Sequence, residues 1–514
     1  MPAVLETPAP APPAKAVRGH IRGSSLLLAG RFLSKGLNFV VQILIVRYLS
    51  QSDYGALAYA LSMVALVQAI STFGLDRAVT RFVPMYHERE EYGKLFGTII
   101  MVLLTIFTIG LTASLLFVGL ERTVAPSLMP DRLAQSLFLI LIFLAPVQAI
   151  DEVLVGLFAV FAHPRAIFFR KNVLAPLLKL AVVLVLIWSG GNVFLVAGGY
   201  LIAGLIGTLI CTILLVRVLR QQHLFRHLDF RNLKMPWGEV LVFTIPLLTS
   251  ELVHVVMHTM DVIVLGWYGD TRDIASLRAV QPMALMNHIV MAAFATLFTP
   301  VVARMLARGE HRQMNELYWQ TAVWISILTF PVFVLTFSFA DSIAVAAYGP
   351  RYASSGPILA LLSLGCYINA ALGFNGLTLK VCGRLKYIVV MNIAATLINL
   401  ALIMVLIPRY GALGAALGTC ITVIIHTILK QYGMRVGTGV ELFAWRYIRV
   451  YVSIMLISVG LWMLQHWLHP PLAISLGLAV VASLVVLIVN WKSLEAAQNF
   501  PELQRLKLVR WLVG

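Results

Sequence analysis

Charge is scarce in this chain. Only 12% of its 514 residues are Asp, Glu, Lys or Arg, with 22 acidic residues against 39 basic ones. A soluble domain carries about a quarter. With 60% hydrophobic residues and a mean hydropathy of +0.89, this shortage excludes an ordinary soluble protein. Cysteine is scarce too. Cys211, Cys366, Cys382 and Cys420 sit in or at the ends of apolar stretches, and no pair of them suggests a disulfide or a metal site. There is no Gly-rich phosphate loop, no nucleotide-binding domain and no Ser/His/Asp set of plausible geometry, which argues against ATP hydrolysis by the chain itself and against an enzyme. Long polar connections are missing as well. The longest expected on the far side of the membrane are 120–133 and 341–354, too short to hide a soluble domain.

What the chain has is apolar stretches. About 14 are long enough to cross a hydrocarbon core, which takes roughly 20 residues each. They lie near 25–48, 54–73, 95–119, 134–160, 173–189, 192–217, 239–267, 276–303, 320–340, 355–380, 387–408, 411–433, 447–466 and 471–491. The formal charge of +17 gathers in alternate connections, 74–94, 161–172, 218–237, 304–319, 380–387 and 430–449, and in both tails. The opposite side has few cations, among them Arg122, Arg132, Arg272, Arg351 and Arg409. This positive-inside bias predicts cytoplasmic termini and makes a nucleic-acid partner unnecessary; contact with anionic lipid headgroups remains. Residues 1–23 are Pro/Ala-rich and read as a disordered cytoplasmic tail, with no small-residue cleavage site after the first apolar run.

The chain repeats itself at an offset of 220 residues. With 171–198 placed under 391–418, Asn172 meets Asn392, Gly191 meets Gly411 and Gly198 meets Gly418 without a gap. Tyr48, Asp53 and Leu57 fall on Tyr268, Asp273 and Leu277, and Gly156 and Leu157 on Gly376 and Leu377. The expected architecture is an all-α integral membrane protein of two six-helix repeats plus two C-terminal helices. Its segments are the tail 1–23, a first bundle 24–217, a basic loop 218–237, a second bundle 238–434, and two extra helices with a cytoplasmic tail, 435–514. An even number of spans per half relates the halves by an axis along the membrane normal, and duplicated halves are the usual signature of a transporter with the substrate path between them.

Charge inside a bilayer is costly unless it faces water, a partner or a ligand, so function is sought there. The first span carries Arg31, Ser34, Lys35, Asn38 and Gln42 on one helical stripe. Arg31 and Lys35 repel each other at i, i+4, which calls for an anion facing them; the plainer alternative is snorkelling to the headgroups. Span 7 carries Glu251, His254, His258 and Asp261 on one face, as cavity-lining or ion-coupling groups, and the offset sets Glu251 against Arg31. A metal site on His254 and His258 competes with that reading but has no accompanying motif; a structural hydrogen-bond network is the other alternative. Lys179 could contact substrate or be neutralised by Asp151 or Glu152. Arg77 and Arg81 share a helical face at the cytoplasmic mouth, as guards or as ordinary positive-inside charges.

Two segments resemble a known family. RYLSQSDYGALAYALSM (47–63) with GLDRAVTRFVPMYHE (74–88), and CGRLKYIVVMNIAATLINLALIMVLIPRYGALGAALGT (382–419), resemble the polysaccharide-biosynthesis membrane proteins, oligosaccharide flippases of the multidrug/oligosaccharidyl-lipid/polysaccharide exporter superfamily. The resemblance covers roughly 20–435. It implies a MATE/MurJ-like pair of six-helix bundles in a bacterial inner membrane. These would move a lipid-linked saccharide, often on undecaprenyl diphosphate, to the outer leaflet by alternating access, without a cofactor. A diphosphate accepts several charge-assisted hydrogen bonds, which suits Arg31 and Lys35 as headgroup contacts with Asn38 and Lys179 nearby and Arg77 and Arg81 at entry. The same pathway's polymerase or glycosyltransferases are the implied partners. A cation-coupled drug or metabolite antiporter, a polyprenyl-dependent membrane glycosyltransferase and a non-transporting scaffold are the alternatives.

Overall fold

The computed structural model describes residues 14–120, 129–161 and 164–494. The side chains of 14–29 and of Glu251, His254 and His258 fall outside the described residues. Every regular element among the described residues is helical. In chain order these are α1 Ala14–Tyr48, α2 Gln51–Thr72, α3 Leu75–Glu88, α4 Tyr92–Gly119, α5 Arg132–Leu141 and α6 Leu144–Val160. Then follow α7 Arg165–Ser189, α8 Val193–Gln221, α9 Trp237–Tyr268, α10 Thr271–Ala307 and α11 His311–Phe337. The chain continues with α12 Ala340–Tyr348, α13 Ser355–Ala371, α14 Asn375–Val381, α15 Leu385–Thr438, α16 Ile448–Leu468 and α17 Leu472–Val489. In a bilayer the backbone must satisfy its own hydrogen bonds, which leaves apolar runs of this length no choice but helix.

Among the described residues nine helices are long and apolar enough to span a membrane, or eleven when α5–α6 and α13–α14, bent by 42° and 41°, each count once. These helices do not by themselves number the fourteen expected spans. The 54-residue α15 covers two of them, 387–408 and 411–433, and α1 and α9 stand outside the count. The two arms of α15 fold back at Gly411, whose φ of 54° and ψ of −133° suit a residue without Cβ. Pro408 precedes the bend by three residues. The tail expected at 1–23 lies outside the described residues to residue 13, and from Ala14 it is helical.

Other breaks have local causes. Phe73 and Gly74 at positive φ separate α2 from α3. Within α10 a tighter turn at Leu285–His288 follows Pro282. There the buried Asn287 amide donates to Ala284 O at 3.0 Å and to Thr336 Oγ1 at 3.2 Å, mending the broken ladder. In α7 the turn Phe168–Leu174 is π-helical.

The chain forms two compact units. One comprises residues 1–41, 70–114 and 143–247; the other comprises 42–69, 115–142 and 248–514. The first has a core where α3 turns Leu75, Val79, Phe82 and Tyr86 onto Ile99 and Val102 of α4 and Leu154 and Phe158 of α6. The connection 222–236 lies against α4, with Lys234 N donating to Gly93 O at 3.2 Å and Tyr92 stacked on His227. The second unit is built on Trp319, Phe330, Phe333 and Tyr367. The two C-terminal helices belong to that core. Ala479, Ala482 and Val486 of α17 are buried, Ser338 Oγ donates to Ser458 O at 2.8 Å, and Gln465 Nε2 to Ser342 Oγ at 3.0 Å. Lipid tails are as apolar as leucine, so close packing and such interhelical bonds hold these contacts rather than exclusion of water.

The repeat is visible in burial. Leu57 and its counterpart Leu277 are both buried, while Tyr48 and Tyr268 are both exposed. Large apolar side chains point outward along α4, α7, α8, α16 and α17, as lipid-facing surface requires. Trp188 at 90% exposure and Trp467 at 82% stand at helix ends, where aromatic rings anchor at the membrane interface.

Candidate functional site

The first unit holds the cationic stripe of α1. Arg31 and Lys35 are exposed, and among the described residues neither is ion-paired with a carboxylate. Between them Ser34 Oγ donates to Lys171 O at 3.4 Å. One turn on, the Asn38 amide donates to Ser34 O at 2.8 Å and Ser34 Oγ at 3.2 Å. Asn38 and Ser34 thus bond to each other and not to the two cations. Gln42, last in the stripe, belongs to the second unit, where its amide meets the hydroxyl of the buried Tyr54.

The other expected cations of this unit divide. Arg77 and Arg81 are exposed on α3 as their spacing predicted, and the Arg81 guanidinium lies 4.3 Å from the centre of the Phe243 ring, a cation–π contact. Lys179 is exposed on α7, with its ammonium 5.9 Å from the Tyr200 ring centre. Asp151 does not pair with Lys179. It accepts from Arg170 Nε at 2.8 Å, and the two side chains are 20% and 7% exposed. Arg170 was legible only as one more basic residue of a cytoplasmic connection.

In the second unit the side chains of Glu251, His254 and His258 lie outside the described residues, but Asp261 is buried on the same helix. It lies within the electrostatic reach of Arg278 on α10. Arg278 donates from Nη1 to Gln281 Oε1 at 2.6 Å and from Nη2 to Ser62 Oγ at 2.9 Å, which joins α10 to α2. The sequence reading passed over Arg278, though a lone arginine inside span 276–303 was a signal. Among the described residues no group of three or more His, Cys, Asp or Glu side chains could hold a metal ion, and the four cysteines are free.

One end of this unit is closed by a reciprocal clamp. Arg47 at the end of α1 donates from Nε to Ala347 O at 2.6 Å and from Nη2 to Ala346 O, near the end of α12. Arg351 answers by donating from Nη2 to Val46 O and Arg47 O, both at 2.6 Å. Arg47 thereby supplies donors to carbonyls left unpaired at the C-terminus of α12, and Arg351, just beyond α12, does the same for α1, where a cation also suits the helix dipole. Gln51 Nε2 adds a bond to Arg351 O at 2.6 Å, and Ser52 Oγ lies 3.2 Å from Thr271 Oγ1. Beside them a Cβ on Gly55 would stand 1.8 Å from Thr271 O, so α2 and α10 touch backbone to backbone. Tyr348 donates to Ala279 O at 2.7 Å; burial pushes its phenol above the usual range, so it stays a donor.

A family model described as polysaccharide biosynthesis protein matches residues 20–306, and one described as MatE matches 246–405. The probable low-salt glycan biosynthesis flippase Agl15 of Haloferax volcanii is 21% identical over 414 residues, 80% of this chain and 82% of that one. The succinoglycan biosynthesis transport protein ExoT of Rhizobium meliloti is 26% identical over 355 residues, 68% of this chain and 66% of its own length. Among solved structures, a lipid II flippase MurJ in an inward closed conformation superimposes with a TM-score of 0.70 at 16% identity, covering 91% of this chain and 99% of that one. At that identity the likeness concerns the fold.

Proposed function

Because this chain belongs to the polysaccharide biosynthesis protein family of the MOP exporter superfamily, we propose that it moves a lipid-linked saccharide across a bacterial inner membrane, with both termini in the cytoplasm. It is a membrane transporter and not an enzyme. The observation that carries the reading is the pair Arg31 and Lys35, exposed on α1 and unpaired with any carboxylate among the described residues. Two cations one turn apart repel unless an anion lies between them. A polyprenyl diphosphate supplies that anion, and its oxygens accept from guanidinium and ammonium together. The polyprenyl tail stays in lipid while the head crosses. Arg77 and Arg81 then meet the headgroup at entry, Asn38 and Lys179 line its path, and Asp261 with Glu251, His254 and His258 lines the cavity or couples an ion. The product would pass to a polymerase or glycosyltransferase of the same pathway.

The antiporter reading has one observation in its favour, the MatE match over 246–405. Organic cations would be repelled by Arg31 and Lys35, which puts it second. The test is translocation of lipid-linked saccharides in vesicles reconstituted with the intact chain or with Arg31→Ala/Lys35→Ala. Losing two charge-assisted contacts of roughly 1.5 kcal/mol or more each should slow movement by about a hundredfold or more. Undiminished movement removes the site but not the flippase. No movement by the intact chain, across a panel of lipid-linked saccharides, turns the reading towards the antiporter.

A further inference from the structure

The second half carries a basic cluster that the proposed transport site does not use. His426 and Lys430 lie one turn apart on the second arm of α15, and Lys380 lies near the end of α14. Lys430 is half-buried, and its Nζ sits 3.6 Å from the point where a Cβ on Gly376 would stand. The ammonium therefore folds over the start of α14, into space left by a residue without a side chain. Lys380 and Lys430 are close enough to repel each other, and Lys430 likewise acts on His426. Among the described residues neither lysine is ion-paired with a carboxylate. The surrounding polar groups are neutral: Asn392 Oδ1 lies 3.0 Å from His426 Nε2, and the amides of Asn369 and Asn375 bond to Thr427.

Ordinary positive-inside cations look different. Arg384 just before the same helix, and Lys386 and Arg435 on it, are exposed, as residues that only meet water and headgroups should be. Lys430 instead turns inward, over Gly376 of α14, three residues before the end of the expected span 411–433. On the expected spans, Lys430 and Lys380 both stand at the cytoplasmic end of a span, where lipid phosphates lie. Holding the half-buried Lys430 ammonium within repelling reach of Lys380 is unfavourable without a counter-charge, and among the described residues no carboxylate pairs with either.

We propose that Lys430 and Lys380, with His426 beside them, bind a phosphate group at the membrane interface, on residues distinct from Arg31 and Lys35. Phosphate oxygens take point-charge donors such as lysine readily. The group could be carried by an anionic phospholipid or arrive as a free phosphate species, and the experiment separates the two. The full chain in detergent is titrated by calorimetry with inorganic diphosphate and, separately, with dioctanoyl phosphatidylglycerol, both in the Arg31→Ala/Lys35→Ala background so that the first-half cations contribute no heat. The expected result is saturable binding of the lipid, weakened at least about tenfold by Lys430→Met and by Lys380→Met and kept by Lys430→Arg. Binding of diphosphate with the same dependence on these lysines identifies the phosphate itself as the ligand; lipid binding alone identifies a headgroup site. Lys380 is exposed, so Lys380→Met decides the matter should Lys430→Met fail to fold. Binding of neither probe, or equal affinity in the native and methionine forms, overturns the proposal.

Discussion

At the scale of single residues, what matters is which way a charge points, and spacing alone does not say. Arg170 stands in FFRKNV, among basic residues of an expected cytoplasmic connection, yet it is buried against Asp151. The reason is local: Phe168–Leu174 is a π-helical turn, whose wider winding rotates the face that a regular helix would present. The sequence offered Asp151 or Glu152 as a counter-charge for Lys179, but Asp151 pairs with Arg170 instead. The pair yields a prediction. Removing one partner of a buried ion pair strands the other, at a cost of about 3–5 kcal/mol, whereas replacing both by apolar groups is often neutral. Asp151→Ala should therefore lower the melting temperature of the detergent-solubilised chain markedly, and Asp151→Ala/Arg170→Met should restore most of it. A double variant as unstable as the single one would mean that packing, and not charge, is what Asp151 contributes.

At the scale of elements, the repeat was the best guide to the turns, and it worked there through glycine. The offset of Gly191 onto Gly411 marked a turn between two spans, and a turn is present at both places. The second turn is tight, as two apolar stretches separated by only two residues imply, and its two arms meet at a single non-helical residue, Gly411. Gly411 makes this possible: its φ of 54° with ψ of −133° is closed to L side chains, and a Cβ there would also stand 2.9 Å from Asp273 Oδ2. Gly411→Ala should cost about 1–3 kcal/mol in backbone strain, read as a lower melting temperature. Gly198→Ala, where an added Cβ meets nothing within 4 Å, is the matched control and should change little. Equal melting of both would show that the bend tolerates a side chain. Arg278 was overlooked because it is a lone cation within its apolar run, and Lys430 because it opens the basic connection 430–449, where a lysine is ordinary.

At the scale of the whole molecule, the duplication implies two halves that rock, and the second unit contains a place where residues of both halves meet. Ser52 and Gly55 come from the first half, Thr271 and Arg351 from the second, and Arg47 and Arg351 cap each other's helices with bonds of 2.6 Å. On the orientation proposed above this end faces away from the cytoplasm. A transporter that works by alternating access must open there once per cycle, and a ligand can drive the opening only by binding the open form better. A covalent tie across the contact should then arrest the cycle without touching the substrate site. Ser52 Oγ and Thr271 Oγ1 are 3.2 Å apart, close enough for cysteines in their places to approach the 2.05 Å of a disulfide with small adjustments. With Cys211, Cys366, Cys382 and Cys420 replaced by alanine, Ser52→Cys/Thr271→Cys should translocate when reduced, stop when oxidised and recover on reduction. Each single-cysteine form should be indifferent to the oxidant. The arginine clamp makes the same point from the other side, since its bonds are to main-chain carbonyls and depend on register, not on side-chain identity across the contact. Translocation that continues with the disulfide formed would mean that the halves need not part at this end, and the rocking inferred from the duplication would have to be replaced by movement of single helices within one unit.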